Sequence, residues 1–356
     1  MRLVSTSFSS SFQSGAFKRR ALLLATACAL AILAACGGGD EVATPAEPPQ
    51  LLVANTRGNN VVSLDRATGA FTREFIAAKS GGLSDPDDLT FGPDGNLYVS
   101  SGSNTTGQIL RFNAATGAFI DVFAQGGGLM RPYGNVFGPD GHLYVASFRS
   151  DQILKYNGQT GAFIGVLAKG NGTAAGLLNG PNDLLFGADG KLYVTTQGSV
   201  ADGKGEISYK FDSQVVRLDP VTGAAELFAA SPRPTPKGGG YVSFLGLAMG
   251  PDGLLYTTDY AGGIRAYDIA TKALRQTIDT GALFPGSSTA TTVGNLSFGK
   301  NSVLYAPVFN ANASGTAVNN GIAQCSLATA TAAASCSLLV TDNKNLLRPI
   351  GIASLR

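Results

Sequence analysis

The chain has 356 residues, 44% of them hydrophobic and 14% charged, with 47 glycines, four cysteines, one histidine and no tryptophan. Sparse charge and abundant glycine suit strands and tight turns better than long solvent-facing helices. A formal charge of +2 gives a nucleic-acid partner little electrostatic support, and no apolar run after residue 35 is long enough to span a bilayer.

At the N-terminus, Lys18, Arg19 and Arg20 precede "ALLLATACALAILAAC" (21–36), which has the length of a signal h-region. The run ends in Leu33-Ala34-Ala35-Cys36, which resembles a bacterial lipobox. That resemblance implies cleavage before Cys36 and lipidation of it; the alternative is an ordinary signal peptide cut after Ala35. Gly37 is not Asp, so by analogy with lipoproteins the expected destination is the outer membrane. Residues 1–35 are thus read as signal and 36–50 as a flexible tether too poor in apolar residues to pack. The signal contains Arg2, Lys18, Arg19 and Arg20 and no acid, which leaves 22 basic and 24 acidic residues, net −2. Of the remaining thiols, Cys325 and Cys336 are free to bridge in an oxidising compartment.

From residue 51 onward the chain repeats itself. "GPDGNLYV" (92–99) returns as "GPDGHLYV" (138–145), "GADGKLYV" (187–194) and "GPDGLLYT" (250–257), and in worn form as "GKNSVLYA" (299–306). A second phrase runs in phase: "DRATGAF" (65–71), "NAATGAF" (113–119), "NGQTGAF" (157–163), "DPVTGAA" (219–225) and "DIATKAL" (268–274). Each lies between short runs of alternating apolar residues, the signature of strands. Pro-Asp-Gly and Thr-Gly are turn chemistry: Pro presets φ, Asp bonds its own backbone, and Gly takes positive φ without penalty. Every unit therefore reads as four short antiparallel strands, A to D. Such a sheet cannot bury both faces alone, whereas a ring of them can.

The expected fold is an all-β, six-bladed propeller over 51–356. Blades fall at about 86–124, 132–168, 181–230, 244–280 and 293–341, and the sixth joins 51–79 to 349–356. "PIGIASLR" (349–356) matches strand A, while 51–76 matches B, C and D without an A strand. Pairing the two ends closes the ring at about 51 residues per blade and leaves no free edge. Cys325 and Cys336 flank the degenerate C–D hairpin of the 293–341 blade, where a cross-strand disulfide is worth roughly 2–3 kcal/mol.

Strand order puts the uniform A–B and C–D turns on one face and the variable B–C and D–A connections on the other. Loops 197–214 and 307–321 are the longest of the variable set, and binding is usually carried on such loops over a rigid scaffold. Tyr133, Phe148, Arg149, Tyr209, Phe211, Tyr260 and Phe309 fall on or beside that face; alternatively, long loops simply cover the ring. Aligning the units on "FGPDG" puts Asp88, Gly134, Asp183, Gly246, Asn295 and Gly351 at one position. The preceding position reads Asp87, Tyr133, Asn182, Leu245, Gly294 and Ile350, and Asn135 comes one step further along its strand. Asp88, Asp183 and Asn295 would then point inward from alternate blades at the channel mouth of the variable face. Converging oxygens suit a hard cation such as Ca²⁺ or Mg²⁺; the other reading is that they bond backbone N–H groups at strand starts.

"PDDLTFGPDGNLYVSS…QILRFNAATG" and "PNDLLFGADGKLYVTT" resemble the repeats of NHL-type six-bladed propellers, a scaffold shared by the gluconolactonase/regucalcin family and the streptogramin (virginiamycin B) lyases. The first resemblance implies a channel cation held by Glu, Asn and Asp, with Asn182 of "PNDL" contacting substrate and Asp88 and Asn295 as ligands. This chain departs from it: glutamates 41, 47, 74, 206 and 226 all lie off the A strands, and Ile350 stands where the Glu belongs. The lyase resemblance implies a His base and a Glu beside Mg²⁺, yet the lone histidine, His142, lies in an A–B turn on the other face. The same residue excludes a Ser-His-Asp hydrolase and His-ligated metal.

The expectation is a non-catalytic, lipid-anchored envelope propeller, monomeric, that binds a protein or small polar ligand. Its ligand residues would be Asp87, Tyr133, Asn135, Arg149, Asn182 and Tyr260. The alternative is a divalent-cation-dependent hydrolase of the gluconolactonase kind using Asp88, Asp183 and Asn295.

Overall fold

The computed structural model describes residues 50–231, 244–259, 263–281, 283–285, 291–300, 302–311 and 317–355. The signal, Cys36, most of the tether and Tyr260 lie outside them. The described residues form six antiparallel blades. Blade one joins Gln50–Asn55, Asn60–Asp65 and Phe71–Ile76 to the C-terminal strand Pro349–Ser354, which takes the innermost position. Its register sets Leu51 opposite Ser354 and Val53 opposite Ile352. Blades two to five have inner strands Leu89–Phe91, Pro132–Phe137, Pro181–Phe186 and Phe244–Met249. In blade six the inner strand is split into Thr292–Val293 and Ser297–Phe298.

The repeated Leu-Tyr dipeptide explains why these sheets close on one another. Consecutive strand residues face opposite sides of a sheet, so each pair serves two interfaces. Leu97 packs with Val61, Phe75 and Leu110 between blades one and two, while Tyr98 packs with Leu143 and Tyr156 between blades two and three. The alternation continues with Tyr144 and Leu192, Tyr193 and Leu255, and Tyr256 and Leu304. Tyr305 then meets Leu51, Val53 and Ile352 of blade one. Six apolar clusters for six blades is the arithmetic of a ring; an open array of six would have five. Each buried Leu contributes about 1.5–3 kcal/mol.

The turn residues act as their chemistry requires. Asp94 Oδ1 accepts the Asn96 N–H at 3.1 Å, and its Oδ2 accepts the Tyr98 hydroxyl at 3.0 Å. The same pairings recur from Asp140 to His142 N and Tyr144 Oη, from Asp189 to Lys191 N and Tyr193 Oη, and from Asp252 to Leu254 N and Tyr256 Oη. Gly95, Gly141, Gly190 and Gly253 sit at φ between 73° and 78°, the left-handed region that glycine enters freely. In the C–D turns, Asp65 Oδ1 accepts from Ala67 N, Thr68 N and the Thr68 hydroxyl.

Two departures from the sequence reading concern the loops. Within 197–214 the chain forms a hairpin of Ser199–Ala201 with Ile207–Tyr209. The segment 307–321 is mostly strand, with Leu304–Ala311 paired to Ala317–Ser326 out to their ends. Pro307 is tolerated within this strand: it has no N–H to pair, and its carbonyl accepts from Gly294 N at 2.8 Å. Cys325 and Cys336 face each other in register and form the expected disulfide, with Cα atoms 4.0 Å apart.

Candidate functional site in the axial channel

The inner strands bring two levels of side chains to the ring axis. At the inner level, acid or amide alternates with glycine for a steric reason. A Cβ on Gly134 would stand 2.8 Å from Asp183 Cα, and one on Gly246 would stand 2.5 Å from Asn295 Cα. Glycine on every second blade lets the next strand lean in. Each acid then reaches over that glycine to the following backbone amide. Asp88 Oδ2 accepts Asn135 N at 2.9 Å, and Asp183 Oδ2 accepts Leu247 N at 2.7 Å while its Oδ1 accepts Leu184 N at 2.8 Å.

Asparagines complete this level. Asn135 Nδ2 donates to Asp88 Oδ2 at 3.3 Å and to Ser100 Oγ at 3.0 Å; Asn295 Nδ2 donates to Asp88 Oδ1 at 3.3 Å. Asn135 Oδ1 and Asn295 Oδ1 are buried without a hydrogen-bond partner among the described residues. Burial pushes the Asp88 carboxyl up to about 6, although the Asn135 amide opposes the shift. Asp183 is raised well above the carboxylate range by burial and then by the charge of Asp88.

Asp88, Asn135, Asp183 and Asn295 line one end of a cavity of about 780 Å³, whose other end is lined by Phe91, Phe298, Lys300 and Leu355. Those are the turn-side ends of the inner strands. The cavity therefore extends from these four residues toward the A–B turn face.

The outer level lies nearer the variable face and differs around its circumference. Asp87, Tyr133 and Asn182 occupy blades two to four; buried Leu245 and Ile350, with Gly294 between, occupy blades five, six and one. Burial drives Asp87 up to about 7 against the pull of Arg131 and Arg348. Asn182, 1% exposed, has a buried Nδ2 with no hydrogen-bond partner among the described residues. Tyr133 packs on Phe148 with ring centroids 4.6 Å apart and lies 5.3 Å from the Arg131 guanidinium; burial raises its hydroxyl to about 12. Arg149 donates to the Gly205 carbonyl and so ties the extra hairpin to blade three. Phe148 and Phe309 are buried packing residues, not exposed ones.

Sequence reasoning missed three charged residues. Arg131 and Arg348, at φ of 53° and 55°, each precede the proline that opens an inner strand, as Gly180 does in blade four at 65°, and Asp85, at 49°, precedes Pro86, three residues before the inner strand of blade two. A left-handed conformation costs a non-glycine residue about 1–2 kcal/mol. Arg131 pairs with Asp85 and donates to the Gly102 carbonyl at 3.2 Å. The Asp-Pro, Arg-Pro, Gly-Pro and Arg-Pro dipeptides were visible, but not their handedness. Asp151 was also missed: it accepts Gly180 N at 2.8 Å and Ala201 N at 2.6 Å, anchoring the hairpin.

These features define the class, a closed six-bladed β-propeller with a polar axis. No protein-family model and no curated protein matches the chain. Solved structures similar to it include a chain in a nidogen/laminin complex, 14% identical with a TM-score of 0.58 over 86% of this chain and 98% of that one. A protein of unknown function from Bacteroides caccae is 14% identical, with a TM-score of 0.53 over 87% and 99%. A streptogramin B lyase structure is 17% identical, with a TM-score of 0.47 over 80% and 81%. At such identities the likeness extends to the fold alone.

Proposed function

We propose that the protein is a non-catalytic binding propeller of the cell envelope. It is exported by its N-terminal signal, anchored through Cys36 and monomeric, and it holds a small polar ligand over Asp87, Tyr133 and Asn182. The supporting observation is that Asn182 Nδ2 is buried with no hydrogen-bond partner among the described residues, beside Tyr133 and the buried, upward-shifted Asp87. Leaving a buried polar group unpaired costs about 1–3 kcal/mol. A hydroxylated or zwitterionic molecule satisfies the carboxylate with a donor and the amide with an acceptor. Leu245 and Ile350 offer its apolar edge a matching wall.

A lactonase-type hydrolase has less support. Glu74 bonds Asn60 and the Ala78 amide, Glu226 pairs with Arg217, and Glu206 lies in the extra hairpin. None of these described glutamates reaches the channel.

The test is a thermal-shift panel of monosaccharides, polyols, hydroxy acids and amino acids on wild type, Asp87→Asn and Asn182→Leu. At least one class should stabilise wild type and neither variant, and the ligand-free variants should melt at or above wild type. A panel that leaves wild type unmoved, or a ligand that shifts all three equally, overturns the proposal.

A further inference from the structure

We infer that the ligand of the outer level is a small 2-hydroxy or 2-amino carboxylic acid, and that Arg348 is the residue that selects its carboxylate. The inference rests on the binding proposal above and narrows it, because it excludes the neutral sugars and polyols that Asp87, Tyr133 and Asn182 alone would admit.

Two arginines flank Asp87, one from blade three and one from blade one, and they differ in what they hold. Arg131 is committed: its side chain, 11% exposed, is ion-paired to Asp85, donates to the Gly102 carbonyl and lies 5.3 Å from the Tyr133 ring. Arg348 is half-buried and takes part in no ion pair among the described residues. Its guanidinium lies 5.9 Å from the centroid of the Phe309 ring. The Arg348 main chain is held at both ends, the N–H by Asn320 Oδ1 at 3.2 Å and the carbonyl by the amide and hydroxyl of Thr56. Its backbone is fixed while its charge is left unmatched. Nor does Arg348 close on Asp87: burial raises that carboxyl to about 7 in spite of both arginines, whereas a guanidinium in direct contact would hold it down.

The cation and the acid are on neighbouring blades. The inner strand of blade one runs so close to blade two that a Cβ on Gly351 would collide with the Asp87 carbonyl oxygen, and Arg348 precedes that glycine by three residues. A guanidinium grips a carboxylate through two parallel N–H···O bonds. A hydroxyl or ammonium on the next carbon then donates to Asp87, and the buried Asn182 Nδ2 supplies a donor for a remaining acceptor of the ligand. Leu245 and Ile350, both buried, face its carbon chain. A neutral ligand would cover Arg348 without matching its charge, and a charge removed from water unpaired is costly.

The experiment uses the full chain, with melting temperature and calorimetry as readouts. The probes are lactate, 2-hydroxyisocaproate, alanine and leucine, the amide of each, and glucose and glycerol. At least one acid should raise the melting temperature, and its amide, which keeps the shape and loses the charge, should bind about tenfold more weakly or worse. Arg348→Gln should weaken the acid by a similar factor and leave acid and amide equal, a change that damage to the scaffold would not produce. Arg348→Lys, which keeps the charge without the fork, should retain part of the preference. The comparison of acid with amide on wild type tests the inference even if neither variant folds. An acid held as tightly by Arg348→Gln as by wild type, or an amide held as tightly as its acid, overturns the inference. Glucose or glycerol binding that depends on Asp87 and Asn182, with no acid bound, overturns it and leaves the binding proposal standing. Silence from every probe overturns both.

Discussion

The A–B turns and the channel axis use the same residue types to opposite ends. In the turns, Asp94, Asp140, Asp189 and Asp252 each accept a turn amide and a tyrosine hydroxyl. At the axis, Asn135, Asn182 and Asn295 each keep one buried atom without a hydrogen-bond partner among the described residues. Their titration differs accordingly. Burial alone would raise Asp94, but hydrogen bonds from Asn96 and Tyr98 more than offset it and hold the carboxyl below its ordinary range. Burial prevails at Asp87, Asp88 and Asp183, and all three are raised. Turn aspartates are satisfied within their own turn; at the axis Asp88 and Asp183 accept amides from other residues, while the axial asparagines each leave one atom unpaired among the described residues.

The comparison would break most visibly if the ring itself did not depend on its closing strand. Deleting 349–356 removes the inner strand of blade one and its share of two interfaces; the expected result is loss of cooperative unfolding in circular dichroism melts. Next in size is a pH effect in chelator. The folded pKa values of Asp87 and Asp88 lie above the unfolded value of about 3.9, so the native state binds more protons between about pH 4 and 7. Stability should therefore fall as pH rises through that window, read as a falling urea midpoint from pH 5 to 8. A midpoint that rises there would mean the axial carboxylates are paired like those of the turns.

Smaller effects sharpen the scaffold half. Reducing Cys325–Cys336 should cost roughly 2–3 kcal/mol, since the bond closes a short loop; guanidinium melts with and without reductant measure it. Tyr98→Phe leaves the ring in place but removes the hydroxyl that Asp94 accepts, and should cost about 1 kcal/mol.

The scaffold was legible because its signals are local. Pro-Asp-Gly and Thr-Gly fix turns within four residues, and alternation fixes strand faces within five. The extra hairpin around Asp202 and the long strands on either side of 312–316 were read only as long variable loops, because the pairing that orders them comes from a partner strand and leaves no local turn signal. At the axis, alignment of the repeats brought Asp88, Asp183 and Asn295 to one level. Whether each is satisfied depends on a neighbouring blade some 50 residues away, and so does the end of the channel to which they open. The sequence therefore named the residues without distinguishing a capping acid from one with bonding capacity to spare.

The most direct measurement is the urea-unfolding free energy of Asn182→Leu beside that of Tyr98→Phe, both without ligand. If Asn182 is kept for binding at the expense of stability, replacing its unpaired amide by an apolar group of similar size should raise stability by about 1–2 kcal/mol. A loss as large as that of Tyr98→Phe would show that Asn182 serves the scaffold, and the division between turns and axis would be wrong.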